Sequence, residues 1–271
     1  MRSVDVDAVT ALVQHVAATV VRPRFRDLLA GEVSEKGPGD LVTVVDTEAE
    51  AALIEGLAAI APGVPVVGEE GTAAQPDRLG ILTEARRAWV VDPLDGTQAF
   101  VEGSPDHAVM VGLVEDGEAV AGWICLPEHG RTYVAQRGAG AWVDGQPLSR
   151  PAPPTDLAGL RGGLAMWAVS PGLRGRLAQS GPFGPGVSLH GRLWSGYEYS
   201  RLASGEQDFL VYWRTWPWDH VPGAVLVREA GGVSRRLGGD DYRPDTVGEG
   251  LVAAADADTF ERVLETLRAA G

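Results

Sequence analysis

The chain has 271 residues, 45% of them hydrophobic, with a formal net charge of −14. That length supplies a large core and fits one large domain or two closely packed halves. The acidic balance and the shortness of the basic clusters argue against a nucleic-acid partner, and no apolar run approaches the ~20 residues of a membrane span.

Residues 1–7 carry two acids and lack a secretory charge pattern, so a cytoplasmic location is the expectation. Val9, Leu12, Val13, Val16 and Val20 recur at helical spacing and predict an amphipathic helix over 4–21, ended by Pro23. Residues 35–40 read as a turn-rich loop. Asp46-Thr47-Glu48 marks a helix start leading into 49–60. A short strand at 64–67 ends at Gly68-Glu69-Glu70, and 71–87 reads as a loop with a helical turn. Strands are predicted at 88–91, 107–114, 119–126, 131–136 and 141–143, separated by Gly-containing turns. The lone cysteine, Cys125, lies inside one of these apolar runs, which favours a buried structural thiol and leaves no disulfide.

Residues 149–160 form the best linker and divide the chain into halves, 1–150 and 151–271, within one compact unit. Beyond it come a strand at 163–169, a helix at 172–179, a Gly/Pro-rich connection at 181–186, a helix at 194–204 and a strand at 208–212. An apolar helix at 220–230, stopped by Gly231-Gly232, a strand at 251–255 and a closing helix at 256–269 complete the pattern. Mixed elements with a long antiparallel middle predict an α+β layered sandwich.

Asp92-Pro93-Leu94-Asp95-Gly96-Thr97 places two carboxylates three residues apart in what reads as a Pro/Gly-shaped turn, with a hydroxyl two residues later. Glu69 follows one strand, Asp92 another, and Asp219 starts a helix. Oxygen-only ligands suit Mg²⁺ or Mn²⁺ rather than Zn²⁺. In this reading the Leu94 carbonyl adds a ligand, Gly96 leaves room for a phosphate, Thr97 orients the attacking water and Glu69 takes its proton. Each piece alone is an ordinary turn or solvated loop. His15, His220, Asp240-Asp241, Asp256 and Asp258 read as helix, loop and cap residues, and Trp213, Trp216 and Trp218 as packing in a core or dimer interface.

The ordered set of Lys36, Asp40-Leu41-Val42-Thr43 with Asp46, Gly68-Glu69-Glu70, Trp89 with Asp92–Thr97, Trp218-Asp219 and Glu229-Ala230-Gly231-Gly232 resembles the inositol monophosphatase family over about residues 5–265. The resemblance implies an α/β/α/β/α sandwich, often dimeric, and Mg²⁺-dependent, Li⁺-sensitive phosphomonoester hydrolysis. It implies metal ligands at Glu69, Asp92, Leu94, Asp95 and Asp219, catalytic roles for Glu69, Thr97 and Asp46, and substrate contacts from Gly96, Thr97 and Asp219. Lys36 resembles the basic residue of a mobile loop at the metal site, and Glu70 the second acid of its pair. The substrate is then a small phosphorylated metabolite.

The chain departs from the family pattern at Trp194-Ser195-Gly196-Tyr197-Glu198-Tyr199, where small residues are usual. It departs again at Val211-Tyr212-Trp213-Arg214, where inositol-specific members carry an acid, and at His220-Val221-Pro222-Gly223. A polyol, a sugar, histidinol or a nucleotide-derived alcohol therefore all remain open as the esterified group. A bisphosphate nucleotidase or fructose-bisphosphatase relative is an alternative enzyme, and a regulatory protein retaining the fold is the non-enzyme alternative.

Overall fold

The structure is a computed structural model, and it describes residues 4–37, 39–181, 183–190, 193–248 and 250–270. Helix α1 (Val6–Val16) continues through a π-helical turn at Ala17–Val21 and a 3-10 turn at Arg22–Arg24, so the predicted 4–21 helix loosens before Pro23. A hairpin of β1 (Val33–Gly37) and β2 (Asp40–Thr43) replaces the predicted loop at 35–40, although Pro38 at its tip lies outside the described residues. Helix α2 (Val44–Ile60) starts two residues earlier than the sequence suggested. Its cap is Thr43, whose hydroxyl and backbone N–H both bond the side chain of Asp46.

Strand β3 (Val66–Gly68) runs into the short helices α3 (Glu69–Ala74) and α4 (Ile81–Glu84), so Glu69 opens a helix. Then come β4 (Arg87–Asp95), α5 (Thr97–Val101), β5 (Ala108–Glu115), β6 (Glu118–Leu126), β7 (Arg131–Gln136), β8 (Gly140–Val143) and β9 (Gln146–Pro147). The C-terminal part carries β10 (Gly162–Ala165), α6 (Pro171–Ser180), β11 (Val187–His190), α7 (Ser195–Ala203), β12 (Phe209–Tyr212), α8 (Pro217–Glu229), β13 (Val233–Arg235), β14 (Leu251–Ala254) and α9 (Ala257–Ala270). Strands β11 and β13 were not expected from the sequence.

Strands β3 to β9 form one seven-stranded sheet in chain order, antiparallel except for the parallel β3–β4 pair. The second sheet has the order β11-β10-β12-β14-β13. Alternation along the strands sorts the core into three parts. Val109 and Val111 of β5 pack with α1 and α2, whereas Ala108 and Met110 pack with α7 and α8. Likewise Leu210 and Tyr212 face the helices between the sheets, while Phe209 and Val211 face the outer pair α6 and α9. The result is an α/β/α/β/α sandwich in which both sheets are covered on both faces. That is why their strands are continuous apolar runs rather than alternating ones.

The helix between the sheets approaches the large sheet closely. A Cβ at Gly122 of β6 would lie 2.5 Å from the Pro222 carbonyl oxygen, so only glycine lets α8 sit at this depth. No helix among the described residues is long and apolar enough to cross a membrane. Cys125 is buried, and burial pushes its thiol up from its ordinary range, as expected of a structural cysteine.

Candidate active site

Asp92 and Asp95 come from the end of β4, not from a free turn. The strand keeps its pairing with β5 through both residues, with the register shifting between them, and Pro93 falls in that irregularity, where a missing N–H breaks no ladder bond. The shift puts two carboxylates on one side where a regular strand would spread them. Asp92 Oδ1 accepts the Leu94 N–H at 3.0 Å. Gly96 then takes a left-handed conformation, φ +79°, and a Cβ there would lie 3.0 Å from the Asp106 carbonyl oxygen.

Asp219 joins this pair from the first turn of α8, a position that favours acids. One oxygen of each of Asp92, Asp95 and Asp219 lies within 4.8 Å of the others. Burial raises all three above the ordinary carboxylate range, and Glu69 and the trio itself push further, with Asp95 reaching about 7. Burial comes first in holding Asp92 and Asp219 high, and the mutual repulsion of the clustered charges adds to it when no cation offsets them. Hard carboxylate oxygens converging on one point are the donor set that a divalent cation satisfies. The cluster therefore fits a metal ion.

Asp95 has a second task. Its two oxygens accept the backbone N–H groups of Ser195 (3.1 Å) and Gly196 (2.8 Å), the first residues of α7. A Cβ on Gly196 would sit 2.5 Å from that of Ala108 and 3.3 Å from Asp95 Oδ2. Gly196 thus does the work expected of a small residue in a segment that otherwise departs from the small-residue pattern. Within that segment Glu198 is buried and accepts hydrogen bonds from Gln207 and Arg201.

Thr97 opens α5, and its hydroxyl lies 3.0 Å from both Asp46 Oδ1 and the Leu94 carbonyl oxygen. Its single proton serves one of them at a time. Asp46 is fully buried, and burial raises its pKa to about 6 against the opposing pull of the Thr43 hydrogen bonds. The Leu94 carbonyl, expected as a metal ligand, faces the Thr97 hydroxyl in this structure.

Glu69 lines the same cavity, and its Oε1 accepts from the Lys36 ammonium at 2.6 Å; Glu70 accepts from it at 2.8 Å. Burial pulls Lys36 down, but the two carboxylates outweigh it and raise its pKa overall. Burial and the Glu69 charge raise Glu70 to about 7. Sequence reasoning passed over Glu50, which is buried in α2 and accepts the backbone N–H groups of Glu70 (2.8 Å) and Gly71 (2.7 Å). It anchors the first turn of α3 and so aims Glu69. In the sequence it was one more acid in Glu48-Ala49-Glu50, and only its neighbours distinguish it.

The cavity has a volume of about 370 Å³. It is floored by the acids and Gly96-Thr97, and walled by Lys36, Arg214 and several tryptophans. Trp216 and Trp218, expected in a core or interface, both pack on the core and line this cavity. His220 is buried within the wall. Its Nε2 donates to the Arg214 carbonyl (3.2 Å) and its Nδ1 accepts from the Tyr199 hydroxyl (2.9 Å), and burial lowers its pKa to about 3. A neutral, doubly engaged ring is a structural histidine, as expected. His15 lies in the last turn of α1, Asp241 bridges to Arg235, and Asp256 accepts the Thr259 N–H near the start of α9.

The inositol monophosphatase family model matches residues 3–271. The inositol-1-monophosphatase ImpA of Mycolicibacterium smegmatis is 32% identical over 98% of this chain and 95% of its own. The Bacillus subtilis inositol-1-monophosphatase is 31% identical over 77% of each. Among solved structures, an inositol monophosphatase from Zymomonas mobilis superposes with a TM-score of 0.79 at 26% identity, covering 98% of this chain and 100% of that one. The fold and the carboxylate cavity thus define a metal-dependent phosphatase of the layered type. The chain belongs to the inositol monophosphatase family and is a phosphoric monoester hydrolase.

Proposed function

We propose that the chain is a Mg²⁺-dependent phosphomonoesterase, with Mn²⁺ as a substitute, acting on a small phosphorylated metabolite by direct attack of water. The observation that carries this is the convergence of buried Asp92 and Asp95 with half-buried Asp219 at the floor of an open cavity beside Thr97 and Glu69. In this reading Glu69, Asp92, the Leu94 carbonyl, Asp95 and Asp219 hold the metal. When bound, the cation supplies positive charge that polarises the phosphoryl group and acidifies a neighbouring water.

Thr97 gives its own proton to Asp46 or Leu94, which leaves its oxygen free to accept a hydrogen bond from the attacking water and orient it. Glu69 takes the second proton of that water, and the Lys36 ammonium 2.6 Å from its Oε1 orients it. The oxygen of the water bonds to phosphorus as the ester P–O bond breaks, and the departing alkoxide takes a proton from a solvent water. Gly96, Thr97 and Asp219 flank the phosphate.

The Thermotoga maritima fructose-1,6-bisphosphatase/inositol-1-monophosphatase, 28% identical over 74% of this chain, raises a bisphosphate substrate as a second reading. Lys36 and Arg214 are the cavity's lysine and arginine among the described residues, and Lys36 is held by two glutamates, which favours a monophosphate. A homodimer is the assembly we infer from the family resemblance, and light scattering tests it. The function is tested by phosphate release from inositol, sugar, histidinol and nucleotide phosphates with and without Mg²⁺. Turnover should need the cation and collapse in Asp92→Asn. Unchanged turnover in that variant would refute this reading, and no phosphate release from any ester by the parent with Mg²⁺ would favour a regulatory protein that has kept the fold.

A further inference from the structure

The cavity wall that leads away from Asp219 is built from flat groups. Trp218, the residue before Asp219, is 5% exposed, and its ring stacks on Trp216 with centroids 5.2 Å apart and planes 8° from parallel. The Arg214 guanidinium lies 5.4 Å from the Trp216 ring centre and 4.1 Å from that of Trp167. Trp167, at the outer end, is 37% exposed. Two stacked indoles, a planar cation and a third indole therefore run from the acids to the mouth. Trp194 adds a face near the phosphate end, since a Cβ on Gly96 would lie 3.4 Å from its Cγ.

Tyr212 lines the same cavity, is 4% exposed, and its hydroxyl has no hydrogen-bond partner among the described residues. Burying an unpaired hydroxyl is unfavourable unless a ligand or water meets it. Among the described cavity-lining residues between 167 and 218, none is a carboxylate. A polyhydroxylated ring is gripped by carboxylates that fork to neighbouring hydroxyls, and this stretch of the wall supplies none. It suits instead a ligand with a π face, since indoles and guanidinium both stack on flat rings.

We propose that the esterified alcohol carries a flat heteroaromatic ring, which packs along the exposed side of the Trp216–Arg214–Trp167 series while its polar edge meets the Tyr212 hydroxyl. This rests on the phosphatase reading and narrows its substrate. Purine and imidazole rings share the required chemistry.

The test compares kcat/KM for adenosine 5′-monophosphate, histidinol phosphate, myo-inositol 1-phosphate and glucose 6-phosphate in the Mg²⁺-loaded enzyme. At least one of the two heteroaromatic esters should exceed both ring-hydroxyl esters by about fivefold or more, and whichever leads identifies purine or imidazole. Trp216→Ala should lower that preference by about 5- to 150-fold, mainly through KM, and Trp216→Phe should restore part of it. A separate reading needs no turnover: adenosine or histidinol should quench the tryptophan fluorescence of the parent saturably and that of Trp216→Ala less. Equal or better turnover of the inositol or glucose ester overturns the inference alone. Failure of every ester to release phosphate overturns the phosphatase reading and this inference with it.

Discussion

Asp95 Oδ2 lies 2.8 Å from the backbone nitrogen of Gly196, so the carboxylate offered to a cation is also the cap of the helix behind the cavity. Gly196→Ala tests that coupling. The added methyl meets Ala108 at 2.5 Å, so α7 must shift, with a stability loss of about 1–3 kcal/mol. Phosphate release should fall more than folding does, because Asp95 moves with the helix. Denaturant unfolding and steady-state kinetics on the same preparation check this.

Asp95→Asn should separate stability from activity. It removes a charge repelled by the neighbouring carboxylates and leaves one acceptor for the two α7 N–H groups. Relieved repulsion offsets the one lost N–H bond, so the metal-free variant should stay within about 1–3 kcal/mol of the parent at about pH 8, while turnover is abolished. Thermal unfolding in chelator, set beside a phosphate assay, decides it.

Burial raises Asp46 to about 6, and Asp95 and Glu70 to about 7. The folded protein thus holds these protons more tightly than the unfolded chain, whose carboxylates titrate near ~4. Their contribution is fully present below that value and is lost as pH rises through about 6 to 7. Metal-free protein should therefore melt at a lower temperature at about pH 8 than at about pH 5. Added Mg²⁺ should raise the melting temperature more at the higher pH, where it need not displace protons. Equal Mg²⁺ effects at both values would contradict the account.

Thr97→Val keeps the size of the side chain and removes the hydroxyl. It should lower kcat by about 10²–10⁴-fold, with Thr97→Ser recovering most of the rate. Circular dichroism melts of both variants confirm that the fold is intact.

Glu50 touches the site only through the backbone of α3. Glu50→Gln leaves a single acceptor for two N–H groups, which loosens the turn that carries Glu69. The Mg²⁺ concentration for half-maximal rate should rise, and maximal rate at saturating Mg²⁺ should suffer less. An unchanged Mg²⁺ requirement would show that Glu69 is held by Lys36 alone.

The order of elements was largely readable, because β5 to β7 and α8 are long apolar segments bounded by clear turns. The acids were readable as a set because their spacing and strand-end positions are chemical requirements. The Asp92–Thr97 stretch was misread locally: Pro and Gly suggest a turn, but pairing with β5 overrides that preference and keeps Asp92 and Asp95 in a strand. Strands β11 and β13 are short and lie at the edges of their sheet, with little apolar signal of their own. Glu50 and the role of Gly196 depend on residues 20 or more positions away, which no local pattern reports. The same holds for Trp216, whose place on the cavity wall is fixed by the start of α8.

Two of the clustered acids belong to the large sheet and the third to the helix wedged between the sheets, so the cluster spans a seam. The contact of Gly122 with Pro222 therefore acts as a mechanical stop that sets how far the helix slides along that seam. Spacing among Asp92, Asp95 and Asp219 is thereby governed from a remote point of the interior, and a single methyl added at Gly122 would detune the site without touching it.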